Sequence, residues 1–451
     1  MSPDLLARHA RAAAAARDLA GRRVLVVGLA RSGVAAARLA LAKGARVTCT
    51  DARSDAPRVD GAEHRLGAHD RADFLAADLV IVSPGVAASQ PDVAAAIAAG
   101  VPTIGELGFA AAWIDAPILA ISGTNGKSTA THLLGQLLEH AGMRTFVGGN
   151  LGRPRSEAVG LDVEVCAVEV SSYMMELPGA FRPRAAVVLN LTPDHLERHG
   201  TMDEYGAHKC RMFARMGPND HAIVPSDDPR VLRLAADEPG ARLFLGGAPG
   251  VVVEPGCLRF TGVHDPGPVD VRGFALPGGH NVQNLAAACL LALCGGLWRA
   301  DLRVDRLEGL PHRLERVAER AGITWINDSK ATNVDSTLVA LAATDAPRTV
   351  VLLGGQGKAG APYEALVERC RALRGVVCFG AAAPAIATVL EGGGVAVHHA
   401  DTLAAAVRAA HGLARSGDAV LLSPACASFD EFSNFEHRGA AFRAAVEGLP
   451  A

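Results

Sequence analysis

At 451 residues, with 49% hydrophobic and 20% charged side chains, the chain is too long for one ordinary core, and two to four globular domains are expected. A net charge of −3 excludes broad electrostatic binding to nucleic acid or acidic lipid. Nine cysteines with no C-x-x-C pair suit a reducing compartment; Cys49, Cys166 and Cys378 are expected in strands as small core residues. The longest apolar stretch, residues 285–298, falls short of the ~20 residues a bilayer span requires. Asp4, Arg8, Arg11 and Arg17 leave no apolar signal core. A cytoplasmic protein without membrane insertion, and a monomer, is expected.

Taken in chain order, residues 3–20 read as a leading helix and 23–28 (RVLVVG) as a buried strand. A turn through residues 29–33 enters a helix that runs to about Lys43, and residues 45–50 form a second strand ending at Asp51. This β-α-β opening carries G-x-A-x-x-G where a dinucleotide site carries G-x-G-x-x-G, so a different nucleotide or diphosphate is at least as good a reading as NAD. Asp51 and Arg53 either read a ribose, base or phosphate, or cap the strand end. Residues 79–82 are a further strand, leading to the turn Ser83-Pro84-Gly85 with its free N–H groups.

Residues 118–129 (ILAISGTNGKST) join a short buried strand, a glycine loop and a helix. That geometry turns backbone N–H groups and a helix N-terminus toward a phosphate chain. Lys127 would reach the β/γ-phosphates and the Ser128 hydroxyl can sit on Mg²⁺; isoleucine stands at 121, where the general P-loop pattern has glycine. Glu169 ends a strand near this loop, where a carboxylate serves as Mg²⁺ ligand or water positioner. Asp194 and His195 follow the strand at 185–189 and share that edge. Lys209, on a helix expected over 205–213, reads by itself as a solvated lysine. Residues 240–275 suggest a small sheet excursion. Asn281 and Asn284 share a face at the start of an apolar helix and could bond a base, although capping is the simpler reading. From about Leu310 a third unit begins, with strands at 323–326, 350–353, 376–380 and 419–422 whose polar loops imply a second parallel α/β sheet facing a ligand.

The segments SGTNGKST, GGN, EVSSYMMEL, NLTPDHLERH, GGHNVQN, LPHRLE, INDSKATN, LLGGQGK and SPACASFDEFSNFEHRG occur in the order and spacing of the Mur ligases, and nearly the whole chain resembles that family. SSYMMEL stands where SSFQLE or SSYQLE is usual. The resemblance implies an α/β protein of three domains: a Rossmann-like domain over 1–115 for the UDP end of a muramoyl substrate, a central P-loop ATPase domain over 116–309 with a parallel sheet, and a Rossmann-like α/β domain over 310–451 for amino acid and ATP. It implies an ATP-dependent ligase joining glutamate to UDP-N-acetylmuramoyl-L-alanine through an acyl phosphate. Ala30, Arg31, Ser32, Gly33, Asp51, Arg53, Ser83, Pro84 and Gly85 would hold the UDP-substrate. Gly123, Thr124, Asn125, Gly126, Lys127, Ser128 and Thr129, with Asn281, Asn284, Arg313 and Asp328, would hold ATP. Ser128 and Glu169 would bind one Mg²⁺, His195 and a carbamylated Lys209 the second, and Asn150 would touch the γ-phosphate and acyl group. Lys330, Thr332, Lys358, Ser428, Phe429 and Phe435 would receive glutamate. The remaining alternatives are another Mur-type or folylpolyglutamate-type ligase, and a P-loop NTPase acting as a switch.

Overall fold

The computed structural model describes residues 3–150, 152–264, 267–276, 278–358 and 360–449. Pro277, which heads the motif before the apolar helix, lies outside the described residues, as do the ends of the expected first and third domains, Met1, Ser2, Pro450 and Ala451. By contacts the chain divides into two compact units, Met1–Phe274 with Val282–Leu307, and Ala275–Asn281 with Glu308–Ala451.

Unit 1 carries two sheets. The first comprises β1 (Arg23–Val27), β2 (Arg46–Asp51), β3 (Glu63–Leu66), β4 (Leu79–Val82) and β5 (Thr103–Gly105), all parallel in the order β3-β2-β1-β4-β5. The order reverses between β1 and β4, and such a switch point opens a ligand crevice beyond the strand carboxyl ends. The second sheet comprises β6 (Ile118–Ser122), β7 (Thr145–Gly149), β8 (Val165–Glu169), β9 (Ala185–Val188), β10 (His221–Pro225), β11 (Ala241–Leu245), β12 (Gly250–Glu254), β13 (Cys257–Thr261) and β14 (Pro268–Asp270). Its order is β14-β13-β12-β11-β10-β9-β6-β8-β7, with β6 between β8 and β9. Both faces of β6 are buried: Leu119 and Ile121 join one core with Leu133, Leu137 and Leu290, while Ile118 and Ala120 join another with Val168 and Phe213. A strand covered on both faces needs an unbroken apolar run, and Ile121 is part of it, so the glycine loop starts only at Gly123.

Unit 2 holds β15 (Glu315–Arg320), β16 (Ile323–Asn327), β17 (Thr349–Gly354), β18 (Gly375–Phe379), β19 (Val397–Ala400) and β20 (Ala419–Ala425), in the order β15-β16-β20-β17-β18-β19. Burial of Trp325, Leu352 and Leu422 on one face and Val351, Leu353 and Leu421 on the other gives it two cores.

Several sequence expectations are corrected here. The leading helix ends at Ala15, since Gly21 and Arg22 already turn into β1. The segment expected as a separate small sheet instead extends the second sheet: β11 and β12 pair in parallel, and β13 and β14 add an antiparallel edge. The third sheet is not wholly parallel, because β15 pairs with β16 as a hairpin. Alternating charges in ERVAER hid that strand, which is half-exposed at the sheet edge. Cys49, Cys166 and Cys378 are buried in strands as expected. Among the described residues no helix is long and apolar enough to cross a membrane.

Candidate active site

The loop after β1 and the loop after β4 meet at the switch point of the first sheet. The Ser83 hydroxyl donates to the Gly28 carbonyl at 2.7 Å. A Cβ at Gly33 would run into that same carbonyl, so the helix Arg31–Ala42 approaches the strand as closely as only glycine permits. Ala30 and Arg31 are exposed and Ser32 half-exposed at the helix start. Asp51 accepts the Leu29 N–H at 2.7 Å and the Arg53 N–H at 2.9 Å, and the Arg53 guanidinium holds its carboxyl down at about 2. Asp51 therefore braces the β1 turn and carries Arg53 with it. The turn Ser83-Pro84-Gly85 offers less than its sequence suggests: the Ser83 N–H bonds Val27 O within the ladder, and Pro84 has no N–H to give.

At the centre of the second sheet, Gly123 (φ +145°) and Gly126 (φ +84°) shape the loop that enters the helix Lys127–His140. A Cβ at Gly126 would collide with Oδ1 of Asn284. Asn284 thus seats against the glycine loop. Neither it nor Asn281 occupies the cap position, since both lie within the helix Gly279–Cys294, and the capping reading is withdrawn. The Lys127 ammonium folds back on the carbonyls of Gly123 (2.9 Å) and Thr124 (2.6 Å). Ser128 and Thr129 are buried at the helix start.

The surrounding strand ends converge on this loop. Glu169, at the end of β8, is 2% exposed and accepts the Asn150 amide at 2.6 Å. His195, beyond β9, is left-handed (φ +54°) at the N-cap of the short helix Leu196–His199, and its imidazole is about one-third exposed. Lys209 corrects its solvated reading outright. It is 1% exposed, donates to Gly123 O at 2.7 Å, and lies 4.4 Å from the Tyr205 ring centroid. Burial, reinforced by Lys127, drives its pKa well below the ordinary lysine value.

Sequence reasoning missed Asn190. Its side chain accepts the N–H groups of Thr124 (3.1 Å) and Asn125 (2.9 Å) and donates to Asn125 O, which holds the glycine loop open. The available signal was an asparagine directly beyond a buried strand, beside the P-loop.

In unit 2, Asp328 is fully buried, accepts the Ser423 hydroxyl at 2.9 Å and the Leu314 N–H at 3.3 Å, and faces Arg313. Lys330 lies 5.2 Å from the Phe435 ring centroid. Ser428 is 2% exposed; Thr332 is half-exposed, and Lys358 and Phe429 are exposed. A second missed residue, Arg438, organises this edge. Fully buried, it donates to Ser329 O (2.7 Å), Ser329 Oγ (3.0 Å), Cys426 O (3.0 Å) and Ala427 O (3.0 Å), tying the loops after β16 and β20 together.

Burial pushes Asp328 from the ordinary 3.8 up to about 6, against the pull of Arg313. The folded state therefore binds more protons than the unfolded state between those values, and stability is lost as pH rises through them. Relative to Asp328→Asn, the wild type should lose on the order of 3 kcal/mol between pH 3.5 and 7.5. Urea unfolding at both pH values checks this, and a gap independent of pH would contradict it.

Among the described residues no three His, Cys, Asp or Glu side chains cluster as a ready metal site. The set at the glycine loop still suits Mg²⁺, which takes one or two carboxylates and completes its shell with phosphate oxygens and water. Glu169 would supply the carboxylate and Ser128 a hydroxyl. A neutral buried amine at Lys209 is no Mg²⁺ ligand, but it is the form that reacts with CO₂ to give a carbamate.

Three domain families match the chain: the Mur ligase MurD-like N-terminal domain over residues 22–105, the Mur ligase middle domain over 121–292, and the Mur ligase glutamate ligase domain over 312–426. The chain is 46% identical to the UDP-N-acetylmuramoylalanine--D-glutamate ligase of Anaeromyxobacter dehalogenans, with 95% of this chain and 98% of that protein covered. It is 45% identical to the enzyme of the same name from Myxococcus xanthus, with 96% and 99% covered. In fold it is similar to MurF ligase from Thermotoga maritima solved with ADP (TM-score 0.61, 16% identity, 96% of each chain) and to UDP-N-acetylmuramate-alanine ligase MurC from Thermotoga maritima (TM-score 0.60, 17% identity, 94% and 99%). End-to-end identity at this level, with all three domain families in order, establishes that the chain belongs to the Mur ligase family.

Proposed function

We propose that this protein is an ATP-dependent carboxylate–amine ligase that adds D-glutamate to UDP-N-acetylmuramoyl-L-alanine in peptidoglycan precursor synthesis. The observation that carries the reading is the end-to-end likeness to ligases of that name, which includes the amino-acid domain as well as the nucleotide loop. Folylpolyglutamate synthase from Mycobacterium tuberculosis, a rival of similar fold, covers 74% of this chain.

In this reading the domains span 1–115, 116–309 and 310–451. The crevice between β1 and β4 takes the UDP end through Ala30–Gly33, Arg53 and Gly85. Backbone N–H groups of Gly123–Thr129 cradle the phosphates, with Asn284 beside them. Asn281, Arg313 and Asp328 complete the ATP contacts, with Arg313 on phosphate and Asp328 on ribose. The alanyl carboxylate attacks the γ-phosphorus, ADP departs, and an acyl phosphate forms. The glutamate amine then attacks the acyl carbon, phosphate leaves with its bonding electron pair, and the amine gives up a proton. Lys127 moves from the loop carbonyls to the phosphoryl oxygens and stabilises their charge. Asn150, oriented by Glu169, positions the acyl oxygen. Mg²⁺, when bound by Ser128 and Glu169, and at a second site by His195 and carbamylated Lys209, neutralises the phosphate charge. Lys330, Thr332 and Lys358 meet the glutamate α-carboxylate and acyl phosphate, and Ser428, Phe429 and Phe435 its side chain.

Phosphate release from ATP, measured with UDP-N-acetylmuramoyl-L-alanine and a panel of amino acids, tests the reading. Turnover should require both cosubstrates and select D-glutamate. Turnover with L-lysine or diaminopimelate and none with glutamate would sink it, and hydrolysis without any cosubstrate would favour a switch.

A further inference from the structure

The amino edge of the second sheet carries charge that the ligase reading leaves unused. β6, β9 and β10 are parallel neighbours, so their first residues lie together at the edge opposite the glycine loop. The Arg184 N–H donates to Ile118 O at 2.8 Å and the His221 N–H to Arg184 O at 2.9 Å, which fixes that edge. Asp220, just before β10, gathers the two arginines that precede β9. It accepts Nε and Nη2 of Arg182 at 3.0 and 2.9 Å and the Gly217 N–H at 2.7 Å, and it lies 3.5 Å from Nη1 of Arg184. The Asp220 side chain is only 7% exposed, while both arginine side chains remain exposed. The buried acid therefore steadies two guanidiniums without covering them.

The leading helix Pro3–Ala15 forms the facing wall. Ala10, Ala13, Ala14 and Arg17 follow the i, i+3, i+4, i+7 spacing of one helical face, and the Arg17 N–H still bonds Ala14 O at 3.1 Å. This helix lies ahead of residue 22, where the match to the MurD-like N-terminal domain begins. Between helix and sheet edge is a cavity of about 650 Å³, within the roughly 300–1,000 Å³ of small-molecule sites. The charged groups that line it are Arg17, Arg182, Arg184 and Arg215, with Asp115 and Asp220. On a chain of net charge −3 this is a local surplus of two positive charges. Arg17 and Arg215 have no carboxylate partner among the described residues. Arg215 also acts on His9, which is 1% exposed with neither ring nitrogen hydrogen-bonded among the described residues. Burial, helped by Arg8, Arg211 and Arg215, holds the His9 pKa down at about 3. Arg215 is thus met there by a neutral ring and not by an acid.

We propose that this cavity binds a phosphate dianion, either free or as the monoester of a small polar molecule. Two guanidiniums without acid partners match the charge of one phosphate, and their planar forks donate paired N–H bonds to its oxygens. Arg182 and Arg184, steadied by Asp220, supply further donors, and the alanine wall leaves room for the body of an ester. The site is separate from the glycine loop and does not depend on the ligase reading. Calorimetric titration of the full chain at pH 8, with inorganic phosphate and separately with ribose 5-phosphate, tests it. The proteins compared are the wild type, the double variant Arg17→Ala with Arg215→Ala, and Lys127→Ala. One phosphate per chain should still bind to Lys127→Ala, and the double variant should bind at this site about tenfold more weakly or worse, with circular dichroism unchanged in both. Ribose 5-phosphate binding more tightly than phosphate through the same arginines identifies a monoester as the ligand, and affinity no greater than that of phosphate identifies the free anion. Binding that is lost in Lys127→Ala and kept in the double variant puts the phosphate on the glycine loop and overturns the proposal. No binding at millimolar phosphate also overturns it, as does binding that neither variant changes, which is an adventitious ion only.

Discussion

Lys127→Ala is expected to lower kcat by about 10²–10³ or more, the usual cost of removing one preorganised donor from a developing anion. The structure explains why so much rests on one ammonium. Lys127 begins the helix whose N-terminus is proposed to face the phosphates, and its Nζ donates to two carbonyls of the loop, Gly123 and Thr124. Those carbonyls keep the charge at the loop, and in the proposed reaction it passes from them to a phosphoryl oxygen. Alanine there removes no core contact, because the lysine is only partly buried, so thermal unfolding should change little. Single-turnover measurement of acyl-phosphate formation separates this from a binding defect. Near-normal turnover in a folded variant would rule out the phosphate-loop reading.

What could be read in the sequence was whatever chemistry lay in contiguous residues. The run Ile118–Ser122 reads as a buried strand, which it is, and the glycines followed by Lys127 and Ser128 read as a phosphate loop at its end. The same rule singled out Glu169, at the end of β8, and His195, beyond β9, and the structure sets Glu169 against the Asn150 amide. Arg438 was not: an arginine on a helix with ordinary spacing looks solvated, and only the fold brings carbonyls of Ser329, Cys426 and Ala427 to it. The strand β15 was hidden because an edge strand needs no apolar alternation to pair. Asp51 was left between ligand and strand cap because its partner, the Leu29 N–H, lies 22 residues away in sequence. The paired contacts of Arg198 and Glu176 with the loop after β4 are equally non-local.

Lys209 shows the limit most sharply, and it carries the second large effect. Its helix, Met202–Cys210, has two acids and a histidine among nine residues and no strong apolar face, so nothing local says that this lysine points inward. In the fold it is buried beside Lys127, with both ammonium groups directed at the Gly123 carbonyl. Burial and the neighbouring Lys127 both push the Lys209 pKa down, against the pull of Asp194 and Glu169, which favours the neutral amine. The neutral amine can then add CO₂ and release one proton, giving a carbamate whose oxygens suit Mg²⁺ where the nitrogen does not. Its formation exchanges mutual repulsion for attraction between the carbamate and Lys127. Lys209→Ala is therefore expected to lose most activity, on the order of 10²-fold or more, while an exposed lysine would have been replaceable within about ±0.5 kcal/mol of stability. Acetate or propionate in the buffer should restore part of the activity by placing a carboxylate in the vacated space, and it should leave Lys127→Ala unrescued. The sign with pH follows from the depressed lysine: below its folded pKa the amine protonates, the carbamate is lost, and activity falls. A ¹³C carbamate resonance on equilibration with ¹³CO₂, present in the wild type and absent in Lys209→Ala, is the direct check. An unmodified lysine in an active, metal-loaded enzyme, together with a fully active alanine variant, would falsify the carbamate.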